Sequence, residues 1–176
     1  MSDAVAVTVR DERVEDMLPI RRVIECAFGQ ASEADLVDAL RQGDALTVSL
    51  VAEAGGEIVG HVAFSPVIIR AGDTTLEALG LAPLAVTPER QRCGIGAALV
   101  RAGLEACRAR GHHAVVLVGE PAYYQRFGFS TASEFGLECA IPVPAEVFLA
   151  VELSPGALAG CSGIVSYRPE FDAVSA

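Results

Sequence analysis

Two glycines and two arginines lie between an apolar, strand-like segment that ends at Val86 and a helical pattern that begins near Gly96. Gly94 and Gly96 have no Cβ atom, so a ligand can approach their main-chain N–H groups closely. Arg90 and Arg92 carry permanent charge on planar groups that suit phosphate oxygens. The helix N-terminus adds unpaired N–H groups and partial positive charge. This segment is therefore predicted to bind a phosphate.

The first turn of the predicted helix, residues 97–100, contains no Asp or Glu. Acidic side chains are favoured in a first turn, where they complement the helix dipole. Their absence indicates that the negative charge comes from a bound ligand.

Three kinds of phosphate-binding loop can be compared with this segment. A P-loop has Lys followed by Ser or Thr after its last glycine, and Ala97 occupies that place here. A dinucleotide-binding loop needs a third small residue, and Leu99 stands at that position. The pattern Gln/Arg-x-x-Gly-x-Gly/Ala is matched by Gln91, Gly94 and Gly96. A tight turn without a ligand is the remaining alternative.

A second segment whose side chains could take part in a reaction follows the next predicted strand. Residues 121–129 predict a short helix, with Pro121 at its first position and Gly128 at its left-handed end. Two adjacent tyrosines lie on it, and their side chains point about 100° apart. Tyr123 fits packing in the core better than Tyr124 does.

Both segments resemble elements of the GNAT family of N-acetyltransferases. The glycine loop resembles the acyl-CoA pyrophosphate loop, and the second segment resembles the Tyr-x-x-x-Gly-Phe element with Tyr124 at the tyrosine position. The resemblance extends from the middle of the chain to about Phe129. It implies one acyltransferase domain over residues 1–176, acetyl-CoA as co-substrate and no metal. Tyr124 would protonate the departing CoA thiolate.

The resemblance also implies which residues contact acetyl-CoA. Main-chain groups near Leu84 and Val86, on a bulged strand, would bind the oxyanion and the pantetheine arm. The loop would bind the pyrophosphate. The complete set of expected cofactor-binding residues is Leu84, Val86, Gln91, Arg92, Cys93, Gly94, Ile95, Gly96 and Ala97.

The group that deprotonates the acceptor amine has several candidates. Glu120 ends the strand before the tyrosine helix, Glu77 begins the bulged strand, and His61 lies on a strand with alternating faces. Bulk water is a fourth candidate. Glu120 is preferred because it would close the wedge that the bulged strand opens beside the tyrosine helix.

Cys93 is an unusual residue for such a loop. A helix N-terminus and neighbouring arginines favour a reactive thiolate, whereas a small buried residue is the alternative interpretation. The five cysteines of the chain are scattered and form no Cys-x-x-Cys pair, so neither zinc nor a disulfide framework is predicted. His112 and His113 are interpreted as surface loop residues. A reducing cytoplasm fits this cysteine usage.

The composition excludes several classes of function. The formal net charge of −10 argues against nucleic-acid binding and is compatible with a cationic amine or a peptide N-terminus as acceptor, although it also serves solubility. No apolar run reaches the roughly 18–20 residues that span a bilayer, so no membrane contact is predicted. Apolar residues make up 52% of the 176 residues. This surplus predicts a homodimer.

The apolar periodicity predicts a strand–helix–strand core surrounded by hairpins. Gly55-Gly56 indicates a hairpin turn, and Pro83 marks a bulge or an edge. The predicted fold is α/β (α+β), a mixed, mostly antiparallel twisted sheet with a bulged central strand and about four helices. The predicted strands are 5–9, 46–52, 57–69, 77–86, 114–118, 137–141, 147–153 and 164–167, and the predicted helices are 15–28, 32–40, 96–110 and one starting at 121.

Residues 60–65 and 148–158 also resemble an uncharacterised bacterial branch of predicted acetyltransferases. The main alternative function is a non-catalytic acyl-CoA-binding regulatory module. A nicotinamide-nucleotide protein is a weaker alternative. It is considered because Glu120 follows the glycine loop at about the sequence separation expected for an acidic residue that binds a ribose. Neither the acceptor nor the length of the acyl chain is determined by these motifs.

Overall fold

A computed structural model describes residues 5–174, which form two compact units. One unit contains the described residues up to Phe64 together with Ala82–Gly103, and the other contains Ser65–Leu81 with the described residues from Leu104 onward. The α-helices are α1 (Met17–Phe28), α2 (Ser32–Gln42), α3 (Ile95–Ala109) and α4 (Pro121–Tyr124). The strands are β1 (Val7–Asp11), β2 (Val48–Ala54), β3 (Glu57–Ala71), β4 (Thr74–Val86), β5 (Ala114–Val118), β6 (Ser130–Thr131), β7 (Leu137–Cys139), β8 (Phe148–Glu152) and β9 (Gly163–Ser166).

The strands are hydrogen-bonded in the order β1-β2-β3-β4-β5-β8-β6, and β9 pairs with both β3 and β7. The β4–β5 and β7–β9 pairs are parallel, whereas β1–β2, β2–β3, β3–β9, β5–β8 and β6–β8 are antiparallel. The predicted fold class, a mixed and mostly antiparallel sheet with four helices, is confirmed.

In the first unit, β2 and β3 form the predicted hairpin. Gly55 and Gly56 have φ angles of 59° and 80°, which is the left-handed backbone that a two-residue hairpin turn requires. Helix α1 buries Ile20, Val23 and Ile24, whose spacing places them on one face. That face packs with residues of α2 and of the sheet in one apolar cluster.

Helix α3 approaches β3 closely because two glycines leave room for apolar side chains. A Cβ atom on Gly60 would lie 2.9 Å from Cδ1 of Leu99, and one on Gly103 would lie 2.6 Å from Cζ of Phe64. Phe64 and Leu99 are fully buried. The position of α3, and hence of the loop before it, therefore depends on these contacts.

In the second unit, β5 and β8 form a continuous ladder from Ala114↔Glu152 to Val118↔Phe148. Strand β5 has the predicted bounds and is buried from Ala114 to Leu117, as expected for a strand between two neighbours. The cluster around this ladder contains Val67, Ile69, Ala78, Ala114, Val116, Ala132, Leu137, Phe148, Ala150, Leu158 and Val165.

Some predicted boundaries were wrong. Strand β1 begins two residues later than predicted because its register is set by β2, where Val7 pairs with Ala54 and Asp11 with Leu50. Residues 14–16 form a 3-10 turn before α1, and the short strand β6 was not predicted. Among residues 5–174, no helix is long and apolar enough to cross a bilayer.

The contact between α3 and β3 yields a prediction about Gly103. Replacing an interior helical glycine by alanine usually stabilises a helix by about 1 kcal/mol. Gly103→Ala should instead lower the free energy of unfolding by about 1–3 kcal/mol, because the new methyl group overlaps the Phe64 ring. Urea denaturation measures this change. In a Phe64→Leu background, the same substitution should be neutral or stabilising, and stabilisation in the wild-type background would contradict the packing described.

Candidate active site

The predicted anion-binding loop begins where β4 ends. Residues 88–90 form a 3-10 turn after Thr87, and Nε2 of Gln91 donates a hydrogen bond of 3.0 Å to the main-chain carbonyl of Val86. The side chain of Gln91 therefore fastens the loop to the end of the strand, which leaves its main chain as the part that can meet a ligand.

Two residues of the loop adopt left-handed backbone. Gly94 has φ of 83°, and Arg92 has φ of 61° although it carries a side chain. A non-glycine residue in this region is strained by about 1–3 kcal/mol and is found most often where function requires the conformation. Asp44, after α2, also has a positive φ, so this conformation defines the course of the loop without by itself identifying a site.

The main-chain N–H groups from Arg92 to Ala97 are the principal feature of the site. None of them donates to a protein acceptor within residues 5–174, and the first such bond of α3 runs from Ala98 N to Gly94 O, at 3.0 Å. The first turn of α3 contains no acidic residue, as the sequence predicts. Free N–H groups together with the positive end of a helix dipole are the arrangement that commonly binds anions in proteins.

Arg90 and Arg92 add positive charge to the loop. Within the described residues, neither guanidinium forms an ion pair with a carboxylate. Arg92 is exposed, and Arg90 lines a depression of about 720 Å³ beside α1. These charges remain available to phosphate oxygens.

Leu84 and Val86 lie on the last part of β4. The ladder between β4 and β5 joins Leu79 to Val115 and Gly80 to Val116, and no pairing with β5 is found beyond Gly80 in the described chain. The Ala82–Pro83 peptide that follows is cis. Main-chain groups after Pro83 therefore have no partner in β5.

The tyrosine segment has the predicted helical limits. Pro121 is the first residue of α4, and Gly128 ends the following 3-10 turn with φ of 93°. The ring of Tyr124 covers Gly119, where a Cβ atom would lie 2.6 Å from Cε2 of the ring, and it meets the Phe129 ring edge-on at 5.8 Å. Burial raises the pKa of Tyr124 to about 12.

The interpretation of Tyr123 as the better packed tyrosine was wrong. Both tyrosines are half-buried, but the Tyr123 ring lies under the Arg126 guanidinium, 4.7 Å from the ring centroid. One face of Tyr123 is therefore covered by a charged side chain, whereas Tyr124 packs on Gly119 and Phe129.

The three candidate bases differ in their surroundings. Glu120 is the exposed N-cap of α4, and its Oε1 lies 3.5 Å from the N–H of Ala122, which is a long hydrogen bond. Glu77 is exposed on β4. His61 is fully buried on β3. Glu120 and Tyr124 belong to one unit of the chain, and the anion-binding loop and His61 belong to the other.

A hydrogen-bond network around His61 was missed by the sequence analysis. Nε2 of His61 lies 2.8 Å from Oγ of Ser49, and this Oγ lies 2.5 Å from Oε2 of Glu12. The Glu12 carboxylate also accepts hydrogen bonds from Arg41 at 2.9 and 3.1 Å. The one sequence signal is a serine inside a strongly apolar strand, since β2 is almost entirely buried.

The network determines the charges of its members. Burial lowers the pKa of His61 to about 4, so the imidazole is neutral at physiological pH. Burial alone would raise the pKa of Glu12, but the hydrogen bonds from Arg41 and Ser49 outweigh it and the pKa is lowered. A neutral imidazole thus lies beside an ionised carboxylate.

The remaining candidates lie at the surface. Cys93 is exposed, and its Sγ lies 3.5 Å from the carbonyl of Gln91. His113 is exposed, and its Nδ1 lies 2.9 Å from Oγ of Ser154. Within the described part of the chain, no three His, Cys, Asp or Glu side chains are grouped so that they could hold a metal ion.

The lowered pKa of His61 yields a prediction about stability. The unfolded state takes up this proton first as the pH falls, so stability is complete above about pH 6.5 and is lost towards pH 4. The free energy of unfolding should fall by about 1 kcal/mol between pH 7 and pH 5.5. Urea denaturation at both pH values measures the change. His61→Gln should abolish it and His113→Gln should retain it, whereas an unchanged loss in His61→Gln would contradict the assignment.

Comparison with known proteins gives consistent results. The model of the acetyltransferase (GNAT) domain family matches residues 8–132. The uncharacterised N-acetyltransferase YhbS of Escherichia coli is 38% identical over 165 residues, which cover 93% of this chain and 98% of YhbS.

Two solved structures are similar over nearly the whole chain. The YhbS structure from E. coli, determined in complex with CoA, has a TM-score of 0.90 at 36% identity and covers 98% of this chain and 95% of its own. A GNAT acetyltransferase from Brucella melitensis in complex with acetyl-CoA has a TM-score of 0.79 at 38% identity, covering 95% of this chain and 99% of its own. The chain, with its free N–H groups before α3, therefore belongs to the GNAT family of N-acetyltransferases.

Proposed function

We propose that this protein transfers an acetyl group from acetyl-CoA to an amine by direct attack in a ternary complex. The observation that carries the proposal is the run of N–H groups from Arg92 to Ala97 without a protein acceptor. The related proteins solved with CoA and acetyl-CoA support it, because they match almost the full length of the chain.

In this proposal the loop binds the pyrophosphate of acetyl-CoA. The N–H groups of Cys93, Gly94, Ile95, Gly96 and Ala97 point their partial charge at it, and Arg92 adds a full charge. Gln91 contributes by holding the loop to Val86.

Leu84 and Val86 bind the pantetheine arm through main-chain groups that lack a partner in β5. An arm bound there extends the strand in the way that an added peptide does. A main-chain N–H of the same residues stabilises the oxyanion that forms when the amine attacks.

Acetyl-CoA supplies a thioester that is already activated, so the protein acts chiefly by positioning the amine and the carbonyl carbon. The amine nitrogen forms a bond to the carbonyl carbon, the C–S bond breaks, and Tyr124 gives its proton to the sulfur. A raised pKa of about 12 keeps the hydroxyl protonated until the thiolate leaves.

The acceptor is a small amine or a peptide N-terminus that a chain of net charge −10 attracts. Its proton passes to Glu120, Glu77, His61 or water. Glu120 was preferred from the sequence, and Glu120→Gln tests it directly. The domain boundaries of residues 1–176, a homodimer and a cytoplasmic location stay predictions of the sequence.

Binding of CoA is the first test. CoA and acetyl-CoA at about a hundred times their dissociation constants should raise the unfolding midpoint by roughly 5–10 °C, and NAD should not. Cys93→Asp should weaken CoA binding about tenfold, because the introduced carboxylate competes with the pyrophosphate of CoA for the same N–H groups. The isosteric Cys93→Asn is the control and should bind more tightly than Cys93→Asp. No response to CoA or acetyl-CoA would exclude both the enzyme and the non-catalytic CoA-binding module.

Tyr124→Phe separates an enzyme from a binding module. The substitution should lower kcat for CoA release with an amine about 10²–10⁴-fold and leave CoA affinity unchanged, since only the proton donor is lost. Tyr123→Phe is the matched control and should retain the wild-type rate. Equal rates in the two variants would contradict the role of Tyr124, and a wild-type protein that binds CoA but acetylates no amine would favour the module.

A further inference from the structure

One ring nitrogen of the buried His61 has no hydrogen-bond partner among residues 5–174. His61 is 0% exposed, and its Nδ1 atom is buried and unpaired, whereas Nε2 is held by Ser49. An unpaired buried polar atom is unfavourable by about 1–3 kcal/mol and is rare in folded proteins. Such an atom in a native protein therefore points to a missing partner.

The hydrogen bonds around Ser49 determine which ring nitrogen carries the proton. The ionised Glu12 carboxylate can only accept, so the single hydroxyl proton of Ser49 is donated to Glu12. Ser49 must then accept from Nε2 of His61, which therefore carries the imidazole proton. Nδ1 is left with a bare lone pair, so its missing partner is a hydrogen-bond donor.

The order of the strands places β3, which carries His61, beside β4, the strand that is proposed to bind acetyl-CoA. The N–H of Thr87 donates to the carbonyl of Val59, so the end of β4 lies beside the part of β3 that carries His61. On its other side, His61 pairs with Val51 of β2. Val51 and Ala85 pack in the same cluster, so these side chains share one face of the sheet.

Because the two nitrogens lie on either side of Cε1, a ring held by Ser49 at Nε2 presents Nδ1 away from Ser49. Because Nδ1 is buried, the hydrogen-bond donor must be a molecule small enough to lie beside it inside the protein. A water molecule meets this condition.

We propose that His61, Ser49 and Glu12 form a proton relay that takes up the proton of the acceptor amine through one buried water and delivers it to the surface at Glu12. This inference rests on the proposed function and identifies His61 as the base.

Each proton in the relay has a donor and an acceptor. As the N–C bond forms, the amine gives a proton to the water, and the water gives one of its own to Nδ1. Nε2 then releases its proton to Ser49 Oγ, and Ser49 releases its hydroxyl proton to Oε2 of Glu12. Glu12 is 18% exposed and passes the proton to solvent. His61 ends as the neutral imidazole of the other tautomer, so no buried cation is formed. After the product has left, Nδ1 releases its proton through the water while Glu12 and Ser49 pass one proton back to Nε2, which restores the starting tautomer with one proton released to solvent in total.

The groups that face this path belong to three elements of the chain. Glu12 follows β1, Arg41 and Asp38 lie on α2, and Ser49 lies on β2. Arg41 binds both carboxylates, with an Nη1 to Asp38 Oδ1 distance of 2.7 Å. The surface end of the relay is therefore held by a paired network rather than by a single mobile side chain.

Nitrogen NMR of His61 tests the direction of these hydrogen bonds and requires no acceptor substrate. In the wild-type protein at pH 7, the imidazole should be neutral with the proton on Nε2, and Nδ1 should show the chemical shift of an unprotonated nitrogen. A proton on Nδ1 or a charged imidazole would overturn the relay.

Two substitutions of equal shape test the transfer itself. Ser49→Thr keeps the hydroxyl, whereas Ser49→Val fills the same volume without it, so both variants disturb packing equally. With spermidine as the acceptor probe, Ser49→Val should lower kcat about 100-fold or more, and Ser49→Thr should stay within about threefold of the wild type. The KM for acetyl-CoA and the thermal shift with CoA should be unchanged in both.

The kinetic outcomes separate the relay from the proposed function. Equal kcat values and equal pH profiles of kcat for Ser49→Val and Ser49→Thr would overturn the relay and leave the acetyltransferase standing. A wild-type protein that binds CoA but acetylates neither spermidine nor another amine would overturn the proposed function, and with it the role of the relay in transfer.

Discussion

The site depends on one constraint, which is that the main-chain N–H groups from Arg92 to Ala97 stay free of protein acceptors. This requires a strand that ends at Val86, a loop that takes left-handed backbone at Arg92 and Gly94, and a helix fixed at its start. The side chain of Gln91 holds the loop from one side. The contacts of Gly60 and Gly103 hold α3 against β3 from the other.

Burial acts on the two ionisable groups to which the proposals assign opposite tasks. It raises the pKa of Tyr124 to about 12 and lowers that of His61 to about 4. Because desolvation disfavours the charged form in both cases, each side chain is neutral at physiological pH. A neutral phenol can donate a proton and a neutral imidazole can accept one. The same physical effect therefore accounts for both the proposed acid and the proposed base.

The sequence predicted the features that depend on neighbours along the chain. The glycine loop, the proline and glycine that limit the tyrosine helix, and the hairpin at Gly55-Gly56 were all confirmed, because turn and cap conformations follow from local residue types. Strand β5 was predicted with its correct bounds because it is an unbroken apolar run. The family, too, followed from the loop and the tyrosine element.

Only the tertiary structure decided features that join distant parts of the chain. Ser49 bonds Glu12 and His61, which are distant from it in the sequence, and no periodicity links a serine in one strand to a histidine in the next. The packing of the two tyrosines differed from the expectation because Arg126 covers the ring of Tyr123 and Gly119 leaves room for the ring of Tyr124. The sequence alone determined the conformation of the loop that is proposed to bind an anion, because glycines and a helix start shape it locally. The neutral state of the His61 imidazole was decided by the fold, because its burial and its hydrogen-bond partners exist only after the strands have paired.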